Sequence, residues 1–209
     1  MFLKRKINFI IKIFLLNFLC IFYTIPKLIF ISLCKRKYIN LVFSSKNLIK
    51  RNDFYRVNFN FDSDLIWHPR IPLPFVSKKV DSVYSIHFLD KLSLNSIENH
   101  IIYCRRNLLK ENGKYIFSVK DASSYINAYA KKDFSLYCQF FKRNNLSKYG
   151  FIDQINSIYR EDNKTLFDRE FAKNLFLKNG FKNINSRKFD FSFDIPQNFH
   201  DSLYFIATK

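Results

Sequence analysis

Only three glycines occur in the 209 residues, Gly113, Gly150 and Gly180, and none lies in the first half of the chain. Glycine is the residue that lets a backbone turn left-handed or approach another group without a Cβ in the way. Every sharp turn before residue 113 must therefore be made by residues with side chains. In an α/β sheet the first strand-to-helix turn is where glycines usually gather. Here that turn reads INLVFSSKN, Ile39 to Asn47, and contains none.

The length suits one domain with a leader in front of it. Apolar residues at 48% and aromatics at 19% give ample material for a core and exclude a disordered chain. A net charge of +18 points to an anionic partner such as lipid, nucleic acid or a phosphorylated substrate. Abundant Lys, Asn, Ile, Phe and Tyr are also what A/T-rich codons favour, which is the competing account of the basicity. Basic residues are spread along the chain without a recognition-helix or aromatic-platform motif, so no specific nucleic-acid partner is expected. Cys20, Cys34, Cys104 and Cys138 are scattered, with no Cys-x-x-Cys pair and no histidine at ligand spacing. No metal site and no disulfide framework are expected, and reduced cysteines fit a cytoplasmic setting.

Residues 1–37 form a hydrophobic, basic-flanked leader. Ile13 to Ile25 carries no charge, which at ~1.5 Å per residue covers about two-thirds of a ~30 Å hydrocarbon core. Pro26 is expected to kink or end a helix, and a second apolar run, Leu28 to Cys34, follows. Lys4, Arg5 and Lys6 lie on one side and Lys35, Arg36 and Lys37 on the other. Symmetric basic flanks fit a helix or kinked hairpin lying on the inner face of the membrane better than a single span. A helix packed on the domain is the alternative.

From Tyr38 the pattern alternates. Strands are expected at Tyr38 to Phe43, Phe54 to Phe61, Asp64 to Trp67, Val80 to Ile86, Lys114 to Val119, Lys182 to Phe189 and Ser202 to Thr208. The last two are expected to pair antiparallel. Leu94 to Leu109 reads as an amphipathic helix with Ile97, Ile101, Cys104 and Leu108 on one face, and Gly113 as the left-handed residue beyond it. Asp168 is a good N-cap for a helix through Leu177, closed by Asn179 and Gly180. Residues 133–165 read as a lid or insertion over a pocket. The expected fold is a doubly wound α/β, mostly parallel, Rossmann-like sheet with an antiparallel C-terminal strand.

LPF…VDSVYSIHFLDKLS followed by CRRNLLKENGKYIFSVKD resembles the middle of class I S-adenosylmethionine-dependent methyltransferases. The nearest pattern is a bacterial branch reading LPF-x-VDxIYSSHxLEHL…ECRRVLKPGGxxRxxVPD. INSIYR…LFDREFAKNLFLKNGFKNI and SLYFIATK are similar to that branch's final helix and strand, so the likeness runs over residues 38–209. The resemblance implies S-adenosylmethionine as cofactor, bound at the carboxyl edge of the sheet. It places the glycine loop on Phe43, Ser44 and Ser45. Asn60 stands where an acid would hold the ribose, and His68 where an acid commonly sits near the adenine. Asp90-Lys91 replaces the branch's Glu-His.

Tyr84 and Ser85 line the same edge and are candidate cofactor contacts, although both are ordinary strand residues. His87 sits at the carboxyl end of its strand and is the candidate catalytic base or hydrogen-bond donor; a half-buried histidine held by backbone is the bland alternative. Ser44 and Ser45 equally suit a helix cap. Tyr159 and Arg160 fall in the segment that covers the pocket in the family, where an arginine suits an anionic substrate. Asp62 and Asp64 read as turn formers. The function implied is methyl transfer to a small molecule or a surface-polysaccharide sugar. A methyltransferase-like protein without its cofactor, serving as a binding or scaffolding partner at the inner membrane, is the other reading.

Overall fold

The structure, a computed structural model, describes residues 11, 14–33, 40–44, 54–58, 63–67, 73, 80–132, 164–195 and 201–209. Seven strands form one sheet: β1 (Asn40–Ser44), β2 (Phe54–Asn58), β3 (Leu65–Ile66), β4 (Val80–Ile86), β5 (Leu109–Lys120), β6 (Lys182–Ser186) and β7 (Ser202–Thr208). Their order is β3-β2-β1-β4-β5-β7-β6. β1 to β5 run parallel, and β7 enters antiparallel between β5 and β6. Strand order reverses between β1 and β4, and at such a switch point the carboxyl ends splay to leave a crevice.

Four α-helices are described in full: α1 (Ile25–Leu33), α2 (Leu94–Tyr103), α3 (Ala122–Lys131) and α4 (Arg169–Lys178). Registers align Phe43, Ser85, Phe117 and Phe205 in one row across four strands, and Leu41, Val83, Tyr115 and Ala207 in the next. Side chains alternate faces along a strand, so these two rows share one face. That face carries the main core, which α2 and α4 cover with Ile97, Ile101, Ala172, Leu175 and Phe176. Phe117 stacks on Phe176 at 4.2 Å and on Phe205 at 5.2 Å between ring centroids.

Several expected boundaries move. α2 ends at Tyr103, a π-helical turn Cys104–Leu108 continues it, and β5 already begins at Leu109. Ile97, Ile101, Cys104 and Leu108 do form the buried face. The left-handed residue is Asn112, at φ 61°, and not Gly113. Gly113 is required for a different reason: a Cβ there would lie 2.8 Å from the carbonyl oxygen of Lys110. The bulge between β4 and β5 therefore folds back tightly enough to leave no room for a side chain. α3 had no expectation attached to it; Asp121 caps it by accepting from the amide of Ser123.

At the C-terminal helix the sequence and the structure agree. Asp168 accepts from the amide of Phe171 at 2.7 Å, and Gly180 closes the helix at φ 83°. A Cβ at Gly180 would also meet the Arg105 guanidinium at 2.9 Å. Gly180→Ala is expected to destabilise by about 1–2 kcal/mol, since left-handed backbone costs an L-residue that much and Arg105 must move as well. Urea denaturation measures it; an unchanged midpoint would contradict the strain.

Residues 14–19 are helical, Cys20–Thr24 form a π-turn and α1 continues to Leu33. Pro26 does not end this helix. The amide of Ile25 reaches back to the carbonyl of Cys20, and this wider turn lets the chain accommodate the proline's missing N–H. Leu16, Thr24 and Leu28 are buried against the sheet. The Thr24 hydroxyl receives the amide of Ile66 at 3.0 Å and donates to the same residue's carbonyl at 3.1 Å. Lys27 donates to the Asp64 carbonyl at 2.8 Å. The leader is thus docked along β3. No helix among the described residues is long and apolar enough to cross a membrane.

Candidate active site

The carboxyl ends of β1, β4 and β5 converge at the switch point, and a polar cluster lies just beyond β4 and β5. His87 follows the last residue of β4 in left-handed backbone, φ 47°, with its amide bonded to the Ser118 carbonyl at 3.0 Å. Such backbone in a non-glycine residue persists where its surroundings over-determine it. Asp90 lies one short turn on, in the 3-10 segment Leu89–Lys91. Its carboxylate stands 3.6 Å from His87 Nδ1, and both side chains are almost wholly buried. On the other ring nitrogen, the Ser202 hydroxyl lies 3.3 Å from Nε2.

Ser202 also reaches Asp201 Oδ1 at 3.2 Å. One hydroxyl hydrogen therefore has two acceptors within reach. With it on Asp201, Nε2–H donates to the Ser202 oxygen. With it on Nε2, that nitrogen accepts from Ser202 and Nδ1 faces Asp90. In either arrangement Nδ1 faces the Asp90 carboxylate at 3.6 Å, and Nε2 is the atom that changes role. Asp201 is held in turn by Tyr125, whose hydroxyl donates at 2.6 Å, and by Lys120 at 3.2 Å. These bonds join β5, α3 and β7. Lys164 and Thr165 are tied to the same turn: the Asp90 carbonyl accepts from the Lys164 amide at 2.7 Å, and the Thr165 hydroxyl donates to the Leu92 carbonyl.

The expected cofactor contacts divide into those the structure places and those it does not. Phe43 is buried on the α2 face, 4.8 Å from the His100 ring and 5.8 Å from Phe88. Its ring fills core, and the neighbouring backbone of Ser44, paired with Ile86, is what β1 carries to the carboxyl edge. Ser85 is fully buried on the same face as Phe43. Near it the Tyr115 phenol is pushed well above its usual pKa, chiefly by burial and further by Cys104, with the Ser85 hydroxyl partly offsetting this. Tyr84 lies on the opposite face, edge to face with Phe54 at 4.7 Å and Phe193 at 4.9 Å. Ser45, Asn60, His68, Tyr159 and Arg160 lie outside the described residues, as do Asp62 and residues 133–163 of the expected lid. Among the described residues no cluster of His, Cys, Asp or Glu is arranged to hold a metal ion.

Lys120, Tyr125, Asp201 and Ser202 were not singled out by the sequence. Ser202 and His87 are 115 residues apart, and only the antiparallel entry of β7 beside β5 brings them together. His100 has no motif around it either, yet it forms the hub of Phe43, Phe88 and Tyr115 under the switch point.

No protein-family model matches the sequence, and no curated protein is similar to it at a significant level. Solved structures are similar. One is phosphoethanolamine N-methyltransferase 2 of Haemonchus contortus, in complex with phosphomonomethylethanolamine and S-adenosylhomocysteine. It is 11% identical with a TM-score of 0.51, over 89% of this chain and 52% of that one. Another, from Nostoc punctiforme and described as an O-methyltransferase, is 10% identical with a TM-score of 0.50, over 88% of this chain and 56% of that one. The chain spans about half the length of these two proteins. At such identities the likeness is one of fold, and the fold is that of class I S-adenosylmethionine-dependent methyltransferases.

Proposed function

We propose that this protein transfers a methyl group from S-adenosylmethionine to a small molecule or a surface-polysaccharide sugar. The observation that carries the reading is the position of Phe43. The sequence puts an aromatic ring where the fold usually has glycine, and a ring at the carboxyl edge would fill the space a cofactor needs. Phe43 instead points into the core against Phe88 and His100, and β1 reaches the edge as the serine backbone. The Phe43 ring therefore leaves the carboxyl edge of β1 clear, which supports the reading. Ser44, Ser45, Asn60 and His68 are the ones that would hold the cofactor, with Asn60 offering the ribose an amide in place of a charge.

The cofactor supplies a methyl group already activated by a sulfonium, so the protein's share of catalysis is alignment. His87 is buried with Ser202 on its Nε2, and it acts as a positioning residue: with Asp90 it fixes the loop beyond β4, on which an acceptor would rest. A proton released by the acceptor passes to water.

Calorimetry with S-adenosylhomocysteine tests the reading. Binding is expected, and Asn60→Asp is expected to tighten it about tenfold, the difference between a neutral and a charge-assisted hydrogen bond to a ribose hydroxyl. Failure of both chains to bind at millimolar ligand would remove methyl transfer and leave the scaffold reading. Binding that weakens in Asn60→Asp would remove Asn60 from the ribose site.

A further inference from the structure

We propose that the outward face of the leader helix is a docking surface for an anionic lipid bilayer, with the helix lying in the plane of the interface. Nine of the fourteen large hydrophobic residues that are exposed among the described residues belong to this one helix. Phe14, Phe22 and Phe30 are 72%, 64% and 60% exposed. Phe18 packs only on Phe22, ring to ring at 4.3 Å, among the contacts described. A stripe made of the buried Leu16, Thr24 and Leu28, with Cys20 and Lys27 bonding to the backbone of Ile66 and Asp64, faces the sheet. The helix is apolar nearly all round, a pattern that demands a second apolar neighbour. Its direction is fixed, because Thr24 and Lys27 bond to the backbone of Ile66 and Asp64.

Charge decides what that neighbour is. Residues 1–37 contain eight Lys and Arg and no acid, and the first acid of the chain is Asp53. A second copy of the chain would set sixteen such charges together with nothing in the leaders to balance them. An anionic bilayer supplies both the hydrocarbon for the phenylalanines and the negative headgroups for the flanks. Docked along β3 by Thr24 and Lys27, the helix offers its phenylalanines sideways, so it would lie along the surface.

Flotation of the full chain with vesicles tests this, using phosphatidylcholine alone and phosphatidylcholine with phosphatidylglycerol. The chain is expected to float with the phosphatidylglycerol vesicles and less in high salt. A triple variant, Phe14→Ser, Phe18→Ser and Phe22→Ser, keeps every charge and is expected to bind about tenfold or more weakly. Its circular dichroism melt checks that it is folded; should it not be, Phe14→Ser alone gives a smaller loss in the same direction. No flotation of the wild-type chain overturns the proposal. So does equal flotation of a folded variant, which would assign binding to net charge alone. A wild-type dimer in solution that the variant abolishes would give the face to a second copy instead.

Discussion

Truncating Phe117 to alanine is expected to lower the free energy of unfolding by about 3–5 kcal/mol, the range for removing a large buried aromatic ring. The ring is fully buried in the row that joins β1, β4, β5 and β7. It lies nearly parallel to Phe176, with 4° between planes, and 22° from Phe205. Its loss therefore opens a cavity that two rigid rings cannot collapse into. Stability of a domain this size is on the order of 5–15 kcal/mol, so the variant would lose about a fifth of it at the least. Urea denaturation measures the change, with Phe191→Ala as the control. Phe191 is 77% exposed and its truncation should fall within about 0.5 kcal/mol of wild type. Similar losses in the two variants would mean that the core is not organised around the Phe117 row.

The second large effect is a dependence on pH carried by His100. Burial lowers its pKa from 6.5 to about 4, and its ring is enclosed by Phe43, Phe88 and Tyr115. Cys104 Sγ, 3.5 Å from Nε2, gives no charge to offset this, since burial pushes the thiol up and keeps it protonated. The folded protein thus holds His100 neutral while the unfolded chain protonates it near 6.5. Between these values the unfolded state binds more protons, so stability rises with pH. The contribution is complete above about pH 7 and is lost as pH falls from 6.5 towards 4, amounting to about 3 kcal/mol. Denaturation at a series of pH values should show a steeper loss for wild type than for His100→Gln. Parallel curves for the two would show that His100 charges without cost in the fold.

Local signals were readable wherever a residue acts on its immediate neighbours. Asp168 and Gly180 bracket a helix because a cap and a left-handed turn need only a few residues of context. Val80–Ile86 and Ser202–Thr208 emerge with the expected ends because apolar runs of strand length are bounded by polar ones. Reading failed where tertiary contact overrides local preference. Pro26 passes through a helix because a π-turn beside it removes the conflict, and β5 begins at Leu109 because Val80 claims it as a partner. His87 was placed at the right strand end from sequence alone. Its partner Ser202 was not, since hydrogen bonds across the sheet leave no mark in spacing. Phe43 shows the same limit: sequence gives its position in the turn, and only the pleat says which way the ring points.

The hydroxyl of Thr24 has one more consequence. A terminal strand normally offers a row of open amides and carbonyls on which a stray strand can grow. Here β3 is two residues long, and the leader's threonine takes both the N–H and the C=O of Ile66. At the opposite margin β6 is broken by a bulge in which Asn183 turns left-handed. One margin is sealed by a side chain and the other is bent out of register. Among the described residues the sheet has seven strands, and neither border offers an open row on which another could grow.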